Sequence, residues 1–267
     1  MELLIDLHSH LDHCYFNDDR DKVVENAKKS GVKVILTAGT NAESNKEALK
    51  LALKYDIVKA CLGIYPVTNF NKIENFDIEK ELEFFTKNKS KFAAIGEVGL
   101  DFLDKNTNIK PQKDVFSQMI QIAEKLNKPI IVHSRKAEQE CVEMLESSKL
   151  KKIIMHCFCG KKSLVKDIID NGWFLTAPTC IVRGQQFQEN VKITPINQLF
   201  CETDSPYLSP FKDAGNLLKQ ISAPIKMGNR NESAFIIESY KKIAEIKKME
   251  LKEVVNNIWM NWQKTFQ

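Results

Sequence analysis

Five histidines occur in the chain, at positions 8, 10, 13, 133 and 156, and four of them stand where an apolar run ends. His8 and His10 follow the run Leu3–Asp6, His133 closes Ile130-Ile-Val-His, and His156 closes Ile153-Ile-Met-His. The His-x-His spacing puts both imidazoles on one face of an extended chain, with Cα atoms about 6.6 Å apart, so both can reach one ion. Singly, each is an ordinary histidine at the rim of a core. Together, on three separate strands, they read as metal ligands. Two carboxylates join them: Glu97 closes Phe92-Ala-Ala-Ile-Gly-Glu, and Asp204 closes Leu199-Phe-Cys-Glu-Thr-Asp. A carboxylate buried at a strand end needs a cation or hydrogen-bond donors. A Lys or Arg would serve, but imidazoles converging on the same place make a metal the simpler partner. Histidine and carboxylate donors suit zinc, manganese or iron better than calcium. A catalytic zinc takes about three protein ligands, and six donors exceed that, so two ions sharing Glu97 fit the set. The chemistry implied is hydrolysis by a metal-activated water. His13 has no strand leading into it and reads as a surface residue or a support for the ligands.

Eight short apolar runs carry these groups: Leu3–Asp6, Lys33–Ala38, Ile57–Gly63, Phe92–Glu97, Pro129–His133, Lys152–His156, Trp173–Thr176 and Gln198–Asp204. Segments of helical spacing separate them, for example Val115, Met119, Ile122, Ala123 and Leu126. Strands alternating with helices form right-handed βαβ units and a parallel sheet. Eight of them predict a single-domain α/β fold, a (β/α)8 TIM barrel spanning residues 1–267, which is near the usual size of that fold. Barrel enzymes carry their reactive groups at the carboxyl ends of the strands, where these side chains fall. Residues from about Glu232 to Trp262 would form the last helices. The irregular stretch Ser205–Asn231, rich in Pro and Gly, would cover the barrel mouth.

Composition narrows the classes. No run of about 18 apolar residues is present, so no membrane span is expected. The N-terminus opens into a strand-like run without a basic or apolar leader, which makes the cytoplasm the expected location. Seven scattered cysteines read as reduced thiols. Cys157 and Cys159, beside His156, lack the second pair that a structural zinc site requires. A net charge of +4 permits a polyanionic partner without demanding one.

The chain resembles the TatD family of metal-dependent hydrolases along nearly its whole length. The motifs that carry this are Asp6-Leu-His-Ser-His-Leu-Asp12, Gly96-Glu-Val-Gly-Leu-Asp101, Val132-His-Ser-Arg135, His156-Cys-Phe-Cys-Gly160, Glu202-Thr-Asp-Ser-Pro-Tyr-Leu208 and Gly228-Asn-Arg-Asn-Glu232. The resemblance implies two divalent ions (Mg, Mn or Zn), one held by His8, His10, Glu97 and Asp204, the other by Glu97, His133 and His156. It implies catalytic roles for Glu97 and Asp204, the latter orienting or deprotonating the attacking water. The chain departs from the family at Gly63-Ile-Tyr-Pro-Val67, where Tyr65 and Val67 stand in place of the usual histidines.

Three functions are consistent with these residues: a deoxyribonuclease, an acyl hydrolase such as a D-aminoacyl-tRNA deacylase, and a barrel kept only for binding. The intact ligand set disfavours the last. The expected partner is DNA or another nucleic-acid-derived substrate. Three of the four arginines, Arg135, Arg183 and Arg230, lie beside the expected site and suit bidentate phosphate contacts. Tyr207 and Phe211 could stack on bases at the rim or simply pack the long loop.

Overall fold

A computed structural model describes residues 3–67, 77–104, 108–211 and 230–267. All eight expected strands form: β1 (Leu4–Ser9), β2 (Val32–Ala38), β3 (Val58–Leu62), β4 (Ala94–Asp101), β5 (Ile130–Arg135), β6 (Ile153–Met155), β7 (Phe174–Pro178) and β8 (Leu199–Glu202). They pair in parallel in sequence order. The ring closes just beyond the last strand, where the Asp204 amide donates to the His8 carbonyl (2.9 Å) and the His10 amide to that of Ser205 (2.7 Å). The helices between them are α1 (Arg20–Lys29), α2 (Ala42–Lys54), α3 (Ile78–Lys87), α4 (Ile109–Leu126), α5 (Glu138–Glu146), α6 (Lys162–Asp170), α7 (Gln185–Ile193), α8 (Ile237–Lys247) and α9 (Leu251–Phe266). The barrel fold and the closing helices agree with the sequence.

Local chemistry explains the helix ends. Asn41 caps α2 by accepting from the Glu43 and Ser44 amides, and Asn127 ends α4 in the left-handed region at φ 51°. The apolar stripe of α4 is buried as its spacing requires, through Val115, Phe116, Met119, Ile120, Ile122 and Ala123. Tyr240 of α8 is fully buried and brackets Ile5, its hydroxyl accepting from the Ile5 amide and donating to the Ile5 carbonyl. The strands, buried on both faces, are β-branched and apolar as parallel barrels demand.

Every strand differs from the sequence reading by a few residues at one or both ends, and the two largest of these shifts place ligand candidates inside a strand. β1 runs on to Ser9, so His8 lies inside it. β4 runs on to Asp101, so Glu97 sits mid-strand. Glycines at 96 and 99 look like terminators, but Gly99 is a packing requirement instead. It has φ +139°, and a Cβ there would lie 2.0 Å from the His133 carbonyl oxygen of β5. Register slips occur on β1 between Asp6 and Ser9 and on β4 between Ile95 and Val98. Such irregularities re-aim side chains beside active sites, and here they bracket His8 and Glu97. Most of the expected mouth loop, residues 212–229, lies outside the described residues.

Candidate metal centre

His8, His10, Glu97 and Asp204 meet at the carboxyl ends of the strands and are all buried. His8 Nε2 lies 3.3 Å from His10 Nε2, 3.5 Å from Glu97 Oε2 and 3.5 Å from Asp204 Oδ1. His10 Nε2 lies 3.4 Å from each of those two oxygens. His8, His10 and Asp204 lie close enough together to share one ion, and so do His8, Glu97 and His156.

The second set is looser. Glu97 turns its other oxygen, Oε1, toward His133 Nδ1 at 2.9 Å and His156 Nε2 at 3.6 Å. The His156 ring stacks on His8 at 3.9 Å between centroids. Glu97 thus touches both sets, one oxygen each.

Each ligand nitrogen is selected by what holds the opposite side of its ring. His10 Nδ1 donates to the Ala38 carbonyl (3.0 Å), which leaves Nε2 as the nitrogen facing Glu97 and Asp204. His156 Nδ1 bonds Glu202 Oε2 at 2.7 Å, and His133 Nε2 bonds Asp101 Oδ2 at 3.1 Å. These contacts aim His156 Nε2 and His133 Nδ1 at Glu97. Neither Asp101 nor Glu202 stood out as a site residue from sequence, although both lie in the motifs quoted above. Asp6 of the first motif accepts from the Thr203 amide (2.8 Å) and hydroxyl (2.7 Å), tying β1 to the segment that carries Asp204. Asp204 itself takes the left-handed conformation at φ 55°, which aspartate tolerates better than most residues.

Electrostatics follow from this packing. Burial would raise the Glu97 carboxyl, but hydrogen bonds from His133 and His8 outweigh it and hold the group well below the usual range. Burial opposes protonation of His10 and His156. The Asp204 hydrogen bond and the Glu97 charge lift His10 to about 9, and the charge and hydrogen bond of Glu202 lift His156 to about 10. Among the described residues, no Lys or Arg pairs with Glu97 or Asp204, so the salt-bridge alternative is not realised. Two buried carboxylates surrounded by imidazoles are the donor set that divalent ions neutralise.

The set opens into a cavity of about 500 Å³, whose walls include Tyr65, Arg135 and Tyr207. Arg135 donates Nε (2.8 Å) and Nη2 (2.5 Å) to Asp101 Oδ2, and its buried Nη1 has no hydrogen-bond partner among the described residues. The Tyr207 hydroxyl is 3.2 Å from His13 Nε2, so His13 supports the rim. Tyr65 turns its hydroxyl onto Asp101 Oδ2 at 3.1 Å, whereas Val67 is not among the walls. The other two arginines are engaged elsewhere. Arg183 donates to the carbonyls of Ser209 (2.8 Å) and Pro210, bracing the start of the mouth loop. Arg230 pairs with both oxygens of Asp19 (2.9 and 2.7 Å) and with Glu232 (2.6 Å), its guanidinium over the Phe16 ring. In this structure both brace loops. Cys157 and Cys159 line the cavity, but among the described residues no metal-ligand grouping includes a cysteine. Phe211 is half exposed and packs on Phe235.

A family model described as TatD related DNase matches residues 5–267. The chain belongs to the TatD family. Among TatD relatives, a metal-dependent hydrolase of Methanocaldococcus jannaschii is 34% identical, covering 98% of this chain and 96% of its own. Human deoxyribonuclease TATDN3 is 31% identical over 98% of this chain and 94% of its own. The 3'-5' ssDNA/RNA exonuclease TatD of Salmonella typhimurium is 30% identical, with 90% of each chain covered. The solved structure of the Escherichia coli TatD homologue YJJV superposes with a TM-score of 0.86 at 22% identity, covering 98% of this chain and 97% of that one. This TatD chain is a metal-dependent hydrolase on a (β/α)8 barrel. Among the described residues no helix is long and apolar enough to cross a membrane.

Proposed function

We propose that the chain is a deoxyribonuclease that hydrolyses DNA phosphodiesters at a site built for two divalent ions, and that it acts in the cytoplasm. The observation that carries this is Arg135, which lines the same cavity as the ligand set and whose buried Nη1 has no partner among the described residues. His8, His10, Glu97 and Asp204 would hold the first ion; Glu97, His133 and His156 would hold the second. Of Mg, Mn and Zn, the imidazole-rich donor set favours zinc. When bound, such ions supply Lewis acidity and make water acidic near neutral pH.

The protein's own groups supply the rest. Asp204, kept ionised against its burial by His10, His156 and His8, receives the proton of the attacking water. Arg135 offers Nη1 to a non-bridging phosphoryl oxygen while Asp101 fixes the plane of its guanidinium. Tyr207, at the cavity wall, presents a ring face on which an unpaired base stacks. The names of the human and Salmonella relatives support nucleic acid as the substrate.

The test is protein stripped of metal, reloaded with Zn, Mn or Mg, and assayed on single-stranded DNA and on D-aminoacyl-tRNA. Metal-dependent cleavage of DNA is expected. Arg135→Ala should lower kcat/KM on DNA about 10- to 150-fold, the range for a lost hydrogen bond to a charged group, while a small neutral ester is unaffected. Cleavage of the aminoacyl ester alone would replace the nuclease reading with the acyl-hydrolase one.

A further inference from the structure

Asp101 is a ligand candidate in neither metal set, yet one of its oxygens serves both the second set and the anion-binding arginine. Oδ2 accepts from His133 Nε2 (3.1 Å), Arg135 Nε (2.8 Å), Arg135 Nη2 (2.5 Å) and the Tyr65 hydroxyl (3.1 Å). Oδ1 takes the Leu103 amide at 3.0 Å. The backbone beneath it is pinned as well. Gln112 of α4 accepts from the Asp101 amide (2.8 Å) and donates to the Asp101 carbonyl (3.0 Å). Asp101 is 1% exposed, so its charge is expressed on these donors and little on water.

We propose that Asp101 is a positioning residue that yokes the second ion to substrate-anion binding, so that one carboxylate sets both affinities. The inference rests on the two-ion reading above. Toward the metal, the carboxylate holds Nε2 of His133, so that Nδ1, the nitrogen set against Glu97 Oε1 at 2.9 Å, is the one an ion would take. Toward the substrate, it engages the Nε–Nη2 edge of Arg135, so Nη1 is the guanidinium nitrogen left for an anion. Tyr65, where the family commonly has histidine, adds a neutral donor to the same oxygen. It brings no second cation to compete with Arg135 or His133 for that charge.

The experiment compares wild type with Asp101→Asn, His133→Ala and Arg135→Ala, first confirming the fold of each by circular dichroism. Zinc is titrated into metal-free protein to resolve two successive affinities. Thymidine monophosphate is then titrated at saturating metal. In Asp101→Asn the second zinc affinity should fall about 10- to 100-fold, as for lost partners of metal-bound histidines. Thymidine monophosphate affinity should fall about 10-fold or more, with the first zinc affinity unchanged. His133→Ala should remove the second zinc with a smaller effect on the nucleotide, and Arg135→Ala should weaken the nucleotide and leave both zinc affinities in place. If Asp101→Asn does not fold, Asp101→Glu retains the buried charge and reads the same constants, with both losses expected because the carboxylate is displaced. Loss of only one of the two affinities in a folded Asp101 variant, or of neither, overturns the yoke. A wild-type protein that takes up a single zinc overturns the two-ion reading and the yoke together.

Discussion

The two halves of the centre are held by different means. In the first, the strands themselves place the ligands: His8 stands inside β1, His10 is fixed by the Ala38 carbonyl, and Asp204 is hung from the His8 carbonyl through its own amide. There the two imidazole nitrogens lie 3.3 Å apart and 3.4–3.5 Å from the oxygens of Glu97 and Asp204. In the second, side chains place side chains: Glu202 orients His156, Asp101 orients His133, and the distances to Glu97 range from 2.9 to 3.6 Å. Main-chain anchoring resists change, because moving it means moving a strand. Side-chain anchoring is tunable, since one substitution can weaken a ligand while the barrel stands.

Glu97→Ala is the sharpest way to break that contrast, because Glu97 belongs to both halves. It should bring turnover to background, a loss of about 10³-fold or more if electrostatic stabilisation of the transition state goes with it. Metal content by mass spectrometry should fall below that of wild type while the thermal melt stays cooperative. A folded variant with wild-type turnover would refute the shared-ligand arrangement.

Glu202→Gln tests the second half alone. The partner of His156 is weakened, so the second ion should bind about 10- to 100-fold more weakly, and calorimetry should find the first unaltered. Equal losses at both affinities would mean that the halves are not separately supported.

The mildest effect is in pH. His10 at about 9 and His156 at about 10 carry protons at neutral pH in the metal-free protein, and an ion must displace them. Each half therefore should release a proton on filling at pH 7–8. Affinity should rise with pH by up to about tenfold per unit per proton displaced, and level off above the raised pKa of each imidazole. Calorimetry in buffers of differing ionisation enthalpy counts those protons, and a count of zero would show that the imidazoles are neutral before metal arrives.

Sequence disclosed the barrel, and pointed to the six side chains that the structure gathers at its mouth, because both rest on local pattern: an apolar run, then a donor. It misplaced the end of β4 because glycines that let β5 approach look the same as glycines that stop a strand. Asp101 and Glu202 went unassigned because their partners lie across the sheet and no spacing announces them. Arg183 and Arg230 looked free for substrate, but their partners include Ser209 and Asp19, 26 and 211 residues away. What a charged side chain touches at such separations is decided by the fold alone.

A closed barrel has one join, where its last staves meet its first. In this chain that join is made by the His8 carbonyl, the His10 amide and the backbone at Asp204 and Ser205, with Asp6 bolted to Thr203 beside it. The hoop is fastened where its reactive centre lies. An ion held by His8, His10 and Asp204 would act as a clasp across residues nearly two hundred positions apart, resisting the parting of the first stave from the last. Chelation should then register in the rigidity of the whole ring as well as in the rate of hydrolysis. A fragment ending before the eighth strand would keep most of the wall and lose the lock.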